Sequence, residues 1–586
     1  MPLGSYTAAC KTGILTLFAL ISGVFLIAGC DTTSGSADLA LTNGKIATVD
    51  SSFSYAEAVA IKGDRIVAVG TTEEIMEMVS AGTAVVDLEG RLAIPGFIEG
   101  HGHFMGLGSA KLNLDLSTAQ NWGEIISMVA EAVEDAEPGE WITGRGWHQE
   151  KWDEVPDNTV EGVPTHHQLS DASPDNPVYL RHASGHAAFA NQLALELGRI
   201  SSETANPDGG EIVHDVRGEP TGLLRETAQR AVGRALAAYR EQMSPEELRA
   251  ESIEMIRLAG EEALQHGVTS FQDAGSGFAT IDLLREQAAE GQLPIRLYVM
   301  VRGASAEELE ENLDNYRMIG FGNEFLTVRS IKQAIDGALG SHGAWLLEPY
   351  EDMPSSVGLV VNPVEEIERD AEVAMNHGFQ VNVHAIGDRA NRETLDIYER
   401  VFEKTGNGET DHRWRIEHAQ HIHPDDLKRF PDMGVIPAFQ AVHCTSDAPW
   451  VYKRLGAERA ESGAYMWRTL WDLGAVITNG TDVPVEKIDP FASYYATVSR
   501  RLSDGTQFFP EEVLTREEAL QSYTINNAYA AFEEDVKGSI EPGKLADIAI
   551  LSRDILTIPE DEILDTDVVQ TILGGKIVYT RGGAED

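Results

Sequence analysis

An apolar run ending in Gly-His-Gly-His, at residues 100–103, constrains this chain more than any other feature. His101 and His103 are two residues apart, so in an extended strand both imidazoles leave the same face. Two imidazoles on one face can hold one metal ion. A lone His-x-His also suits an ordinary polar strand face, but this pair has counterparts farther along the chain. His384 ends Gln380-Val-Asn-Val-His384, and His418 ends Trp414-Arg-Ile-Glu-His418. Asp482 ends the run Ala475–Asp482, and Lys332 lies in Val328-Arg-Ser-Ile-Lys332. Groups that bind metal or carry protons thus recur at the carboxyl ends of strand-like runs, where barrel enzymes build their sites.

Strand-like runs alternate with helical ones from Gly96 onward. The strand candidates are Ile94–Phe104, Val268–Asp273, Ile295–Val301, Val328–Asp336, Gln380–His384, Trp414–His418, Val435–Phe439 and Ala475–Asp482. Helical patterns such as Pro245–Gln265, Pro363–His377 and Arg389–Lys404 separate them. Eight strands with intervening helices predict an α/β fold, a (β/α)8 TIM-type barrel, over 94–535. Both ends of the chain look different. Residues 38–93 and 536–583 carry β-rich runs with hairpin turns at Asn43-Gly44, Gly63-Asp64 and Gly574-Gly575. They predict one small β-sandwich domain formed by both termini. The stretch 106–243 is too long for a loop, and its place after the first strand predicts an insertion over the barrel mouth.

The net charge of −49 would repel phosphates, so nucleic acid is excluded as a partner. Lys11 precedes an apolar run, Ile14–Ile27, that closes on Ile-Ala-Gly-Cys at 27–30. Residues 1–29 resemble a bacterial lipoprotein signal peptide, with Cys30 lipidated and 30–37 a tether, the alternative being an ordinary signal peptide or an uncleaved anchor. The protein is then exported, anchored to the membrane through Cys30 and facing the periplasm or cell exterior. Cys10 lies in the signal, so only Cys444 remains and no disulfide framework forms. A homo-oligomer is left open.

A buried lysine beside metal-binding histidines needs neutralising. Reaction with carbon dioxide, giving a bridging carbamate, is one solution; a pairing of Lys332 with Asp336 is the other. Here the chain resembles the amidohydrolase superfamily, within it the amidohydrolase family 3 branch of YtcJ-like, N-substituted formamide deformylase-like proteins. The resemblance rests on Gly-His-Gly-His at 100–103, Ile-Lys-Gln-Ala-Ile-Asp-Gly-Ala-Leu-Gly-Ser at 331–341 and Val-His-Ala-Ile-Gly-Asp-Arg-Ala at 383–390. Arg-Ile-Glu-His-Ala-Gln at 415–420, Gly-Thr-Asp-Val-Pro-Val at 480–485 and Gly-Ser-Ile-Glu-Pro-Gly-Lys-Leu-Ala-Asp at 538–547 complete it. It implies two divalent metal ions, zinc by preference. His101 and His103 would bind the first, His384 and His418 the second, and carboxylated Lys332 would bridge both. Asp482 would touch the first ion and shuttle the proton. Glu99 stands where this family usually has Asp, Thr481 where Ser is common, and His148 where an acidic residue is usual.

The function predicted is metal-dependent hydrolysis of a carbon–nitrogen bond other than a peptide bond, in a small-molecule amide. The substrate is read as a neutral or weakly charged N-substituted amide carrying an apolar group, rather than a polyanion, on the strength of the acidic charge, the resemblance and the insertion's Trp141, Trp147, Trp152 and Phe189. An esterase, lactonase or phosphoesterase on the same site is the enzymatic alternative, and a solute-binding lipoprotein the non-enzymatic one. Trp147, His182, His186, Arg225 and Gln440 are the substrate-contact candidates, with His443 behind them. Asp273 is as readily structural, and His421 is expected at the surface.

Overall fold

The computed structural model describes residues 36–154, 159–405 and 411–582; the leader, with Cys10 and Cys30, lies outside them. Seven parallel strands make the barrel wall. They are β1 (Phe97–Gly102), β2 (Val268–Ser276), β3 (Arg296–Val301), β4 (Leu326–Ala334), β5 (Gln380–Ala385), β6 (Arg415–His418) and β7 (Ile436–Ala438). Each pairs with the next in sequence order. β3, β5 and β6 are buried along their whole length, because the wall has packed side chains inside and helices outside. The helix Pro245–Gln265 shows how those helices are set: Ser244 and Glu247 form a reciprocal capping box, with Pro245 in the first turn.

The eighth strand predicted at Ala475–Asp482 closes the barrel without becoming a regular ladder. Thr478 bridges Ala438 in parallel. Gly100 N donates to Asn479 O at 3.1 Å, and Asp482 N donates to His101 O at 2.7 Å. Glu99 interrupts the regular pattern by accepting from Thr481 N at 2.6 Å and Thr481 Oγ1 at 3.0 Å. Gly480 lies so close that a Cβ there would sit 2.4 Å from Glu99 Oε1. Asp482 follows in the left-handed region, at φ 57°, a conformation a non-glycine residue holds only when its surroundings fix it. The Glu99–Thr481 pair therefore sets the backbone that presents Asp482.

Both ends of the chain build the β sandwich. One sheet orders Arg65–Gly70, Ala58–Lys62, Leu39–Thr42 and Ala84–Asp87. The other joins N-terminal strands Tyr55–Ala56, Lys45–Ala47 and Leu92–Pro95 to C-terminal strands Ile548–Leu551, Val568–Leu573 and Lys576–Thr580. Leu41, Val59, Ile61, Ile548 and Ile572 pack between them.

The insertion between β1 and β2 carries its own mixed sheet, ordered Gly210–His214, Pro220–Glu226, Ala187–Ala190, Val178–His182, Ile142–Trp147 and Leu114–Asp115. One face packs on Trp122, Ile125 and Val129. The other packs on Leu195, Ala228 and Val232. It is a layered unit with two cores, and it places Arg145, Arg181 and His186 on a cavity shared with the barrel residues Lys332, His384 and Asp482.

Candidate metal centre

The carboxyl ends of β1, β6 and the eighth segment converge. His101 Nε2 and His103 Nε2 lie 3.5 Å and 3.3 Å from Asp482 Oδ1. The His101 and His418 rings are 4.7 Å apart, and the His384 and His418 rings 4.4 Å. Ligand atoms of His101, His103 and Asp482 fall within 4.8 Å of one another, as do those of His418, His443 and Asp482. His101 Nε2, His384 Nε2 and Asp482 Oδ1 are buried without a hydrogen-bond partner. Orphaned buried polar atoms are costly, so His101 Nε2 and Asp482 Oδ1, which share the first of these groups, fit a divalent cation, while His384 falls in neither group.

Neighbours fix two of the rings for that task. His101 Nδ1 hydrogen-bonds Glu417 Oε2. His418 Nδ1 hydrogen-bonds Gln440 Oε1 at 2.6 Å. Each acceptor holds the ring proton on Nδ1 and leaves the Nε2 lone pair for a metal. Burial raises the Glu417 carboxyl's pKa, but Arg415 and His101 outweigh it and bring the group to about 2. Burial also acts on Asp482, yet the imidazoles of His103, His101 and His418 hold it well below the usual carboxylate range. His101 itself is drawn down to about 4, first by burial and then by Lys332. His443 has the opposite arrangement: Gln420 Nε2 lies 3.3 Å from its Nδ1. A donated bond there puts the ring proton on Nε2, which is buried and unpartnered, and makes His443 a donor into the site.

Lys332, only 3% exposed, makes no ion pair among the described residues. Burial, then Arg302, lowers its pKa to about 8. The alternative pairing with Asp336 does not occur. Asp336 instead accepts three backbone N–H groups, from Trp345 at 2.8 Å, Ile386 at 3.0 Å and Gly387 at 2.8 Å. Asp273 is structural as well, accepting from Phe104 N at 3.0 Å and Ser276 Oγ at 2.7 Å. It thereby anchors the helix that starts just after His103.

The substrate-contact candidates divide. His182 and His186 line a pocket with His148, Trp450, His384 and Asp482. His186 Nδ1 bonds Glu226 Oε2 at 2.8 Å. His148 stacks on Trp450, and burial keeps it neutral with a pKa of about 3. Trp147 is placed elsewhere: it sits in the insertion's core, its indole N–H on Leu180 O at 2.9 Å, packed with Trp152 and Phe189. Three of the aromatics expected to meet an apolar substituent thus hold the insertion together. Arg225 ion-pairs Glu161 and Glu211 in a neighbouring pocket. Gln440 positions His418. His421, expected at the surface, is 3% exposed with both ring nitrogens unpartnered. Sequence reasoning passed over the supporting role of Glu417, although it adjoins His418, and ranked His443 low, although it lies just past the end of β7.

Residues 84–579 match the model of the amidohydrolase family. Protein LONG AFTER FAR-RED 3 of Arabidopsis thaliana is 34% identical, over 93% of this chain and 92% of its own length. Putative amidohydrolase YtcJ of Bacillus subtilis is 31% identical over 90% and 96%. An N-substituted formamide deformylase of Arthrobacter pascens is 28% identical over 93% and 99%. The crystal structure of an uncharacterized metal-dependent hydrolase from Pyrococcus furiosus superposes with a TM-score of 0.68 at 30% identity, covering 89% of this chain and 100% of that one.

Proposed function

Because the chain belongs to the amidohydrolase family, we propose that it hydrolyses a carbon–nitrogen bond of a small-molecule amide with the help of two divalent ions, zinc by preference. One observation carries the reading: ligand atoms of His101, His103 and Asp482 lie within 4.8 Å of one another, with His101 Nε2 and Asp482 Oδ1 buried and unpartnered. His101 and His103 would hold one ion with Asp482, and His384 and His418 the other. Lys332 would bridge them as its carbamate. With its pKa lowered to about 8, the amine has a neutral fraction near neutral pH that can attack carbon dioxide, forming an N–C bond and releasing one proton to water. Ions bound here would supply a Lewis acid and bring a water's pKa toward ~7.

The chain's own residues supply the rest. Asp482, ionised at neutral pH, accepts the attacking water's proton and returns it to the leaving nitrogen. An amide needs this return, because an amine anion leaves poorly. The Nε2–H of His443 is available to the carbonyl oxygen as charge builds there. His148 and Trp450 wall the pocket. The name of the Arthrobacter pascens relative, an N-substituted formamide deformylase, supports an amide over an ester. A lipid anchor at Cys30 would hold the enzyme on the outer side of a bacterial cell membrane.

Elemental analysis of the purified protein tests the metal reading, with about two equivalents expected per chain. Amide turnover should vanish with chelator and return with zinc. Trace metal with full activity would refute the reading, and a higher kcat/KM on matched esters would refute the bond assignment.

A further inference from the structure

The barrel and the insertion together line a solvent-open cavity of about 1110 Å³ that includes His103, Lys332, His384, His418 and Asp482 in its wall. Arg145, Arg181, Arg230, Arg234 and Arg302 share that wall. None of these arginines has a carboxylate within ion-pair distance among the described residues. That is unexpected in a chain with 94 acidic and 45 basic residues, where arginines elsewhere readily find acidic partners. The acidic side chains on the same wall are engaged. Glu226 bonds His186, Glu251 pairs with Arg240, and Glu140 accepts from Glu137 N. Asp336 holds three backbone N–H groups, and Asp482 faces the histidines.

The cluster is built into the fold. Arg145 and Arg181 are register partners on adjacent parallel strands of the insertion, so they leave the same face of its sheet. Arg145 is braced by Pro484 O at 3.2 Å and Ala183 O at 2.7 Å. Arg302 follows β3, its stem lying where a Cβ on Gly275 would come within 2.5 Å of its Cδ. Arg145 is half-buried, and burial, then the neighbouring Arg181, brings its pKa down to about 10, while Arg181 and Arg302 are exposed at the cavity wall. Three guanidinium groups gathered at one cavity wall with no carboxylate partner raise the local positive potential and favour an anion there.

We propose that Arg145, Arg181 and Arg302 seat the carboxylate of the substrate, so that the enzyme acts on N-acyl amino acids and related anionic amides rather than neutral ones. The proposal rests on the amide hydrolase reading above. Arg145, Arg181 and Arg302 line the same cavity as His103 and Lys332, so the anion seat adjoins the metal centre and the carboxylate lies a few bonds from the amide. The overall negative charge is no obstacle at close range, because salt screens it beyond about 8–10 Å. In the reaction water adds its oxygen to the acyl carbon, the C–N bond breaks, and the nitrogen leaves as an amine. The arginine-held carboxylate is unchanged.

Matched pairs test the proposal: N-acetyl-phenylalanine against N-acetyl-phenethylamine, and the two N-formyl counterparts. Two or three charge-assisted hydrogen bonds predict a kcat/KM about 10- to 100-fold higher for the acid of each pair. Arg181→Gln and Arg302→Gln should each shrink that ratio at unchanged metal content. Equal or faster turnover of the neutral members would overturn the proposal and leave amide hydrolysis standing. A second arm does not depend on turnover. Calorimetric titration of the metal-loaded enzyme with 3-phenylpropionate and with 3-phenylpropanol should show binding of the acid alone, weakened about tenfold or more in Arg181→Gln and falling with salt. Acid binding that is insensitive to Arg181 would mean that the metals alone hold the anion, and would overturn the proposal. Tighter binding of 2-phenylethylphosphonate than of 3-phenylpropionate would replace the carboxylate with a phosphoryl group and overturn it as well.

Discussion

Replacing Glu417 by Gln tests the support beneath the metal centre. Glu417 and Arg415 are both 0% exposed, with Arg415 Nε 2.6 Å from Glu417 Oε1. Arg415 Nη2 donates to Glu417 Oε2 at 2.9 Å and to Gly100 O at 2.7 Å, while Nη1 bonds Gln272. Gln keeps the shape and one acceptor for His101 Nδ1–H but removes the charge. A guanidinium then stays buried with neutral partners only, a loss of about 3–5 kcal/mol. His101 also loses a charged acceptor, so metal affinity should fall by about 10- to 100-fold. Urea unfolding of the wild type, Glu417→Gln, Arg415→Met and Arg415→Met with Glu417→Leu measures the first quantity, and competition with a chelating dye the second. The double variant should lose less than the two singles together by about 2 kcal/mol or more, because it removes both charges at once. A Glu417→Gln loss under about 0.5 kcal/mol, or strict additivity in the double variant, would refute the buried ion pair as the support of His101.

Asp482→Asn should lower turnover at least ~10²-fold in a folded protein, since Asn cannot carry a proton at neutral pH; circular dichroism and single-turnover assays check this. Gln440→Leu removes the acceptor that fixes His418 and should weaken metal binding about tenfold with little change in fold, read by metal titration. Arg296→Met leaves Asp547 unpaired where the barrel meets the sandwich, at 2.7 Å in the native pair, and should cost about 3–5 kcal/mol in urea unfolding. Cys30→Ser should move the protein from the membrane fraction to the soluble fraction, checked by fractionation and metabolic lipid labelling.

The barrel was legible because short valine-rich runs, apolar throughout in Leu297–Val301 and alternating in Gln380–Ala385, recur between helical patterns. The eighth run was legible as a position but not as an irregular segment. Its departure comes from Glu99 reaching across to Thr481, a contact between residues 382 apart in sequence. Motif residues such as His101 and Asp482 announce themselves by type and spacing. Trp147 misled for the converse reason, since an aromatic on a strand reads alike whether it faces a ligand or a core. Arg145, Arg181 and Arg302 gave no signal at all. They come from two separate units of the fold, and only their shared cavity and missing acidic partners set them apart.

The shared sandwich bears on how the molecule is made. Leu92–Pro95 pairs with Ile548–Leu551, and Lys45 meets Asp554 at 2.6 Å, across 509 residues. During synthesis Leu92–Pro95 emerges with an open edge and stays that way until Ile548–Leu551 has been made. Such an edge invites pairing with other chains. Nascent chains stalled inside the barrel should therefore aggregate through their amino-terminal strands, and Ile548–Leu551, laid along Leu92–Pro95, is the strand that closes that edge.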